Sequence, residues 1–389
     1  MAKWLEKTLG EVTAFIAKGI PPKYTEEENE NTIRVLNQKC NRNFEISYSE
    51  SRIHDCGKKK VPEDKMLRAG DVLINSTGTG TAGRVAQMIE VTVPTTIDGH
   101  MILIRPSEEL DHIYYGYAVK SFQSQIEGLA EGSTGQTEIN RRRLQDEVII
   151  RYPSDKLVQK NIGSFLANID EKIKTNKEIN KNLELQAESI FKSWFIDFEP
   201  FNNQKPSNWS VSTLGNVSIM GAGGDKPQNI SPLKTDLYQY PIYSNGLSNE
   251  GLYGFTNKPK ISEESVTVSA RGTIGFVCLR HIPYVPIVRL VTLIPQPQII
   301  SAKYLYLWLK QLHITGTGTT QQQLTVPDFK KTEILVPSQQ IVTLFTNTVD
   351  PLFEKIWANQ NENEKLSSLR DTLLPKLMSG ELDVSAIDI

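Results

Sequence analysis

Between residues 156 and 195 the apolar positions recur every three or four residues, with no proline and no glycine after Gly163. Stepping alternately by four and three picks out Ile162, Leu166, Ile169, Ile173, Asn176, Asn180, Leu183, Ala187, Ile190 and Trp194. Eight of these ten are apolar in a chain that is 39% apolar overall, so the stripe is a packed seam. A sustained 3.5-residue repeat predicts a helix lying lengthwise on another helix. At about 1.5 Å per residue such a helix is roughly 60 Å long, too long for the core of one small domain.

A second seam lies 183 residues further on: Phe345, Val349, Leu352, Ile356, Asn359, Asn363, Leu366, Arg370, Leu373 and Leu377. Both seams carry Asn at their fifth and sixth steps. A buried Asn costs stability but fixes register. The shared placement predicts a duplicated, mutually packed pair rather than two unrelated amphipathic helices. The linker from Phe195 to Trp209 has fourteen steps and reaches at most roughly 50 Å. Its prolines shorten it further, so it cannot retrace the helix, and the pair is expected to be antiparallel with a globular part at each end. Asp350-Pro351 suits an N-cap and first helical position, predicting a break and restart there. Pro375 predicts an end or a kink.

The duplication extends beyond the helices. Trp4-x-x-x-Thr8-Leu9-Gly10 recurs as Trp209-x-x-x-Thr213-Leu214-Gly215, and Gly80-Thr81-Ala82-Gly83-Arg84-Val85 as Gly272-Thr273-Ile274-Gly275-Phe276-Val277. Gly132, a Ser/Thr/Gln-rich loop and Pro153-Ser154 match Gly316, its own polar loop and Pro337-Ser338. A repeat this long is a duplicated module, not a solenoid unit. Strand-like runs occur at Asp71-Val72-Leu73-Ile74, Met101-Ile102-Leu103-Ile104, Ser265-Val266-Thr267-Val268 and residues 289–294. Helical spacing occupies residues 113–122 and 304–312. The expected fold class is α+β: globular domains at 1–153 and 209–337, a first spacer helix at 154–200, a linker at 201–208, and a second spacer helix with its tail at 338–389.

Composition narrows the chemistry. At 389 residues and 23% charged, the chain reads as a folded, multidomain protein. It has no run of eighteen apolar residues and no apolar signal-peptide core after its first residues. Cys40, Cys56 and Cys278 are far apart, which predicts free thiols in a reducing cytoplasm. The net charge of −2 weighs against binding nucleic acid alone through a broad basic surface.

No catalytic constellation emerges. The stretch 78–84 lacks the Gly-Lys-Ser/Thr ending of a phosphate loop, and so does its counterpart at 270–275. Such a turn is either a plain strand connection or a presenter of backbone and small hydroxyls to DNA phosphate. Pro21-Pro22-Lys23-Tyr24 matches the catalytic Pro-Pro-Tyr of amino-methyltransferases only in part. The five His are scattered, and Pro62-Glu63-Asp64-Lys65 is an isolated acidic turn. Lys58-Lys59-Lys60, Arg141-Arg142-Arg143 and Lys330-Lys331 are local basic clusters whose default reading is solvated surface. The loops at 133–136 and 319–323 add amides and hydroxyls. Gln and Asn read adenine edges, Arg reads guanine, and Lys and hydroxyls hold phosphate.

The ordered duplication resembles the specificity subunits of type I restriction-modification systems. It is carried by the paired Thr-Leu-Gly openings, by Tyr243-Ser244-Asn245-Gly246 and by Arg271-Gly272-Thr273-Ile274-Gly275. The ending Leu373-Leu374-Pro375-Lys376-Leu377-Met378-Ser379-Gly380 is also of that kind. The resemblance implies two target-recognition domains, each reading one half of a bipartite site in double-stranded DNA. It implies a non-catalytic chain whose helices dock DNA methyltransferase subunits, joined by restriction/translocase subunits. S-adenosylmethionine, ATP and Mg²⁺ are then expected on the partners and none in this chain, with a cytoplasmic location and no membrane. Candidate DNA contacts are Lys58, Lys59, Lys60, Thr77, Thr79, Arg84, Ser133, Thr134, Gln136, Arg141 and Arg142 in the first half. In the second they are Ser244, Asn245, Arg271, Thr273, Gln321, Gln322, Gln323 and Lys330. Phe191, Trp194, Phe195 and Phe198 form an aromatic cluster expected either to dock a methyltransferase or to pack on the first globular domain or the linker. The alternatives are a stand-alone methyltransferase and a coiled-coil scaffold without a DNA role.

Overall fold

The computed structural model describes residues 3–132, 137–316 and 323–382. It divides into two compact units. Unit 1 holds residues 1–176 and 361–389, and unit 2 holds residues 177–360.

In unit 1, β1 (Trp4–Thr8) will pair with a late strand. There follow β2 (Thr13–Lys18), β3 (Thr32–Leu36), β4 (Arg52–Asp55), β5 (Val72–Asn75), β6 (Val85–Gln87), β7 (Thr95–Ile97) and β8 (Met101–Pro106). Helices α1 (His112–Ser121) and α2 (Arg141–Glu147) precede β9 (Ile149–Pro153) and α3 (Lys156–Phe195). The antiparallel core sheet runs β2-β8-β5-β6, and β3 lies between β7, to which it is parallel, and β4. Strand β1 closes on β9, with Trp4 opposite Pro153 and Thr8 opposite Ile149.

Unit 2 repeats this plan with β10 (Ser210–Thr213), β11 (Ser218–Ala222), β12 (Tyr240–Tyr243), β13 (Leu252–Thr256), β14 (Ser265–Val268), β15 (Val277–Arg280), β16 (Val285–Pro286) and β17 (Val291–Pro295). It ends with α4 (Ala302–Gln311), β18 (Glu333–Val336) and α5 (Gln339–Ser379). The core sheet runs β11-β17-β14-β15, β12 pairs in parallel with β16, and β10 closes on β18.

The same local chemistry builds both copies. Asp111 caps α1 by accepting from the backbone N–H of Ile113 and Tyr114, and Ser301 caps α4 by accepting from Tyr304. Tyr114 donates its hydroxyl to the Arg151 carbonyl and Tyr304 to that of Leu335, each at 2.8 Å. An aromatic body fills the core in each case while its polar tip satisfies a buried strand. The Leu-Gly openings are equivalent too: Leu9 and Leu214 are fully buried. Gly10 donates to the Gln145 carbonyl and Gly215 to that of Lys330, both at 3.0 Å.

Helix α3 follows the predicted span, with Ile162, Leu166, Ile169, Ile173, Asn176 and Ala187 of its seam buried. In unit 1, Asp170 of α3 pairs with Arg370 of α5, and Asn176 donates to Asn363 at 2.9 Å. In unit 2, Asn359 donates to Asn180 at 2.8 Å, and Phe195 meets Phe345. Residue numbers rise on one helix as they fall on the other, so the helices run antiparallel within each unit. The repeat extends to single atoms. Asn180 donates to the Ile356 carbonyl and Asn363 to that of Ile173, and these donors and acceptors are related by the 183-residue shift.

Two expectations about α5 are corrected. The helix runs unbroken through Asp350 and Pro351, and it does not end at Pro375 but continues to Ser379. Asp350 is engaged by Lys303 at 3.0 Å instead of capping a helix. Both prolines lie on the exposed face, where the carbonyls they leave unpaired are open to water. The end comes at Gly380, whose φ of 75° turns the chain while Glu381 N–H bonds back to the Lys376 carbonyl at 3.0 Å.

Candidate nucleic-acid interface

The glycine motif is the turn joining the two edge-side strands of the core sheet, β5 to β6 in unit 1 and β14 to β15 in unit 2. Gly80 and Gly272 have φ of 69° and 70°, and Gly83 and Gly275 have 87° and 84°. Nothing lies within 4 Å of where a Cβ would stand on Gly80 or Gly272. A Cβ on Gly83 would strike Glu127 at 2.6 Å, and one on Gly275 the Ile314 carbonyl at 2.9 Å. The outer glycine therefore exposes backbone, and the inner one lets the turn press against the fold. Thr79 and Gly80 are exposed at the tip in unit 1, as are Arg271 and Gly272 in unit 2.

In unit 1 other groups converge on this turn. Thr77 bridges to Glu138, and the Ile139 N–H donates to the Ser76 carbonyl at 2.8 Å. This pairing brings the segment leading into α2 beside the turn. Arg141 and Arg142 open α2 and are exposed, with Asn140 as the cap and Asp146 3.6 Å from Arg142. The Thr77 hydroxyl lies 2.9 Å from His100 Nδ1 and 3.4 Å from Gln38 Oε1. Burial pushes the nearby Asp98 carboxyl above its usual range, against the hydrogen bond it accepts from the His100 N–H at 2.9 Å.

Other candidate residues lie elsewhere or face inward. Arg84 folds back to donate to the Gly80 carbonyl at 3.0 Å, bracing its own turn. Lys58, Lys59 and Lys60 follow Asp55, which pairs with Thr32 at the start of β3. Gln38, which meets Thr77, follows the far end of that strand. In unit 2, Asn245 accepts from the Ala270 N–H at 2.7 Å and donates to the Val288 carbonyl at 2.6 Å. Its carboxamide is thereby committed to the fold. Ser244 bonds the Gly251 carbonyl through its N–H at 2.8 Å. Thr273 Oγ1 is buried without a hydrogen-bond partner among the described residues. Arg271 remains at the tip and donates to Gln323 at 2.7 Å, joining those two candidates. Lys330 holds the Leu214-Gly215 opening through its backbone carbonyl, which accepts from the Gly215 N–H at 3.0 Å. Ser133, Thr134, Gln136, Gln321 and Gln322 lie outside the described residues.

The aromatic docking patch is also corrected. Phe191 and Phe195 are 0% and 1% exposed and sit in the core of unit 2. The Phe195 ring lies 4.9 Å from those of Tyr304 and Phe345 and 5.6 Å from that of Trp209. Trp194 and Phe198 are half-buried against the same core, Phe198 at 6.0 Å from Trp209. The end of α3 thus packs on the second globular domain, not the first. Its counterpart in unit 1 is the end of α5, where Leu374, Leu377 and Met378 join the core and Gly380 lies against Trp4.

Sequence reasoning did not single out His100 or Gln38, which belong to no motif or cluster and meet Thr77 only once the sheet has formed. Among the described residues there is no cluster of three or more His, Cys, Asp or Glu able to hold a metal, and no helix long and apolar enough to cross a membrane.

The family described as the type I restriction modification DNA specificity domain matches residues 1–185 and again residues 206–368. The chain is similar to the type I restriction enzyme MjaIX specificity subunit of Methanocaldococcus jannaschii, with 27% identity covering 88% of this chain and 83% of that one. It is similar to the HindI specificity subunit of Haemophilus influenzae at 23% identity, covering 98% of this chain and 100% of that one. The crystal structure of the type I restriction-modification system S subunit from M. genitalium shares the fold. Its TM-score is 0.57 at 20% identity, covering 97% of this chain and 96% of that one.

Proposed function

Because the chain belongs to the type I restriction-modification DNA specificity family, as a specificity subunit with two target-recognition domains, we propose that each domain reads one half of a bipartite DNA site. The observation that carries this reading is the glycine turn, built twice with matching backbone angles and open at its tip in both units. Exposed backbone N–H groups and small hydroxyls hold phosphate, and side chains beside them reach base edges. Arg141, Arg142 and Thr79 flank the turn in unit 1, and Arg271 with Gln323 in unit 2.

The chain itself carries no chemistry in this reading. Methyltransferase subunits dock on the long helices and bring S-adenosylmethionine, and restriction/translocase subunits bring ATP and Mg²⁺. A net charge of −2 is consistent with partners that supply further phosphate contacts. The assembly works in the cytoplasm. A gel shift tests the proposal: the chain with its methyltransferase retards DNA containing the methylated motif and releases it to specific competitor only. Equal retention of motif and non-motif DNA would reject sequence reading and favour a scaffold. Methylation by the purified chain alone would favour a stand-alone enzyme.

A further inference from the structure

The glycine turn is tethered to a second turn in each unit. In unit 1 the tether is the contact between Thr77 and His100 Nδ1, and His100 lies between β7 and β8. In unit 2 a different side chain does the same job. Asn245 reaches from Ala270 on the glycine turn to Val288, which lies between β16 and β17. The repeat keeps the tether and changes the atoms that make it.

In unit 2 the second turn is bent against backbone preference. Val288 and Arg289 have φ of 50° and 62°, where a β-branched residue is an outlier. Neighbouring bonds hold it there: Val288 N–H donates to the Gly224 carbonyl at 2.9 Å and Arg289 N–H to that of Gly223 at 3.0 Å. Val288 and Arg289 are exposed between the buried Ile287 and Leu290. Among the described residues the Arg289 guanidinium makes no hydrogen bond or ion pair. The strain thus supports a side chain that adds nothing to the core, a pattern characteristic of ligand contacts. In unit 1 His100 is exposed on the corresponding turn. Its N–H is held by Asp98, its carbonyl accepts from Ser76 at 2.8 Å, and its Nδ1 meets Thr77.

We propose that this second turn carries a sequence-reading side chain in each domain, Arg289 in unit 2 and His100 in unit 1. The proposal rests on the DNA-reading function above and deepens it by naming the residues. A guanidinium presents two parallel N–H donors, which match guanine O6 and N7 and discriminate about 5- to 150-fold against other bases. An imidazole engaged at Nδ1 presents Nε2 alone, so His100 makes one bond to a base edge.

The test is the methylated motif of cells carrying the wild-type chain, Arg289→Ala, Arg289→Lys or His100→Ala with the methyltransferase, read by modified-base sequencing. Competition binding by the purified complexes gives the second readout. Arg289→Ala keeps a Cβ and the backbone N–H that bonds Gly223, so it places no new steric demand on the turn. It is expected to make one position degenerate in one half of the motif, with discrimination there falling about 5- to 150-fold. Arg289→Lys should lose the same discrimination, because it keeps the charge and not the fork. His100→Ala should relax a position in the other half. An unchanged motif in Arg289→Ala overturns the proposal. So does a uniform loss of affinity for all sequences with a salt slope reduced by about one, the mark of a phosphate contact. If a variant gives no methylation in cells, competition binding decides between these outcomes. A wild-type complex with no motif at all rejects the DNA-reading function itself, which is a different failure.

Discussion

Phe195→Ala is the sharpest test of how the aromatic end of α3 is used. The ring is 1% exposed and surrounded by Phe191, Trp209, Tyr304 and Phe345, with centroids 4.9 to 5.6 Å away. Truncating such a side chain removes its burial and leaves a cavity, at about 3–5 kcal/mol. The neighbouring rings come from α3, α4, α5 and the residue before β10, so no single element can collapse to fill the space. For a unit of this size each kcal/mol lowers the melting temperature by about 2–4 °C, so the unit 2 transition should fall by roughly 10 °C. Because the chain has two units, the assay is differential scanning calorimetry resolved into its transitions, not one fitted midpoint. Phe198→Ala, at a half-buried ring 6.0 Å from that of Trp209, should cost about 1 kcal/mol. Co-purification with the methyltransferase, measured well below both melting temperatures, should be retained by both variants. A Phe195→Ala chain that melts with the wild type but fails to co-purify would refute the core assignment and restore the docking patch.

Further outcomes follow from the helix pair and a buried amine. Asn359→Leu leaves the Asn180 amide oxygen without its donor and should cost about 1–3 kcal/mol. Adding Asn180→Leu should recover part of that loss, which a double-mutant cycle by calorimetry would reveal; purely additive losses would rule out the pairing. Lys120 sits over the Phe44 ring with the Asp170 carboxylate 3.9 Å away, and burial pushes its ammonium down to about 8. Between about pH 8 and pH 10.5 the unfolded chain holds a proton that the folded one has lost, so this group's contribution to stability rises with pH across that window. Lys120→Met should therefore stabilise unit 1 at pH 7, by roughly 1–3 kcal/mol, with the gain shrinking towards pH 10. Destabilisation at pH 7 would show that the Asp170 pairing outweighs desolvation.

The parts legible in the sequence were those written in periodic form. The α3 seam, its Asn pair and the repeated glycine motif each recur at a fixed offset, and the structure builds each of them twice. The chain neither breaks at Pro351 nor ends at Pro375, because proline rules are local and a seam packed on both sides of each proline keeps the helix going. The aromatic cluster was visible, but the sequence could not show which globular part covers it. Asn245 looked like a DNA reader because its chemistry suits one, yet its partners Ala270 and Val288 lie 25 and 43 residues away. The tie from Thr77 to His100 spans 23 residues and follows no period. Such contacts exist only after the sheet has brought its turns together.

If each domain reads its own half of the DNA site, exchanging residues 209–337 for the corresponding domain of a relative with a different motif changes one half alone. Modified-base sequencing of cells carrying the exchanged chain and the methyltransferase should show one half of the motif replaced by the donor's and the other half untouched. Replacement or loss of sequence in both halves would contradict independent reading by two domains.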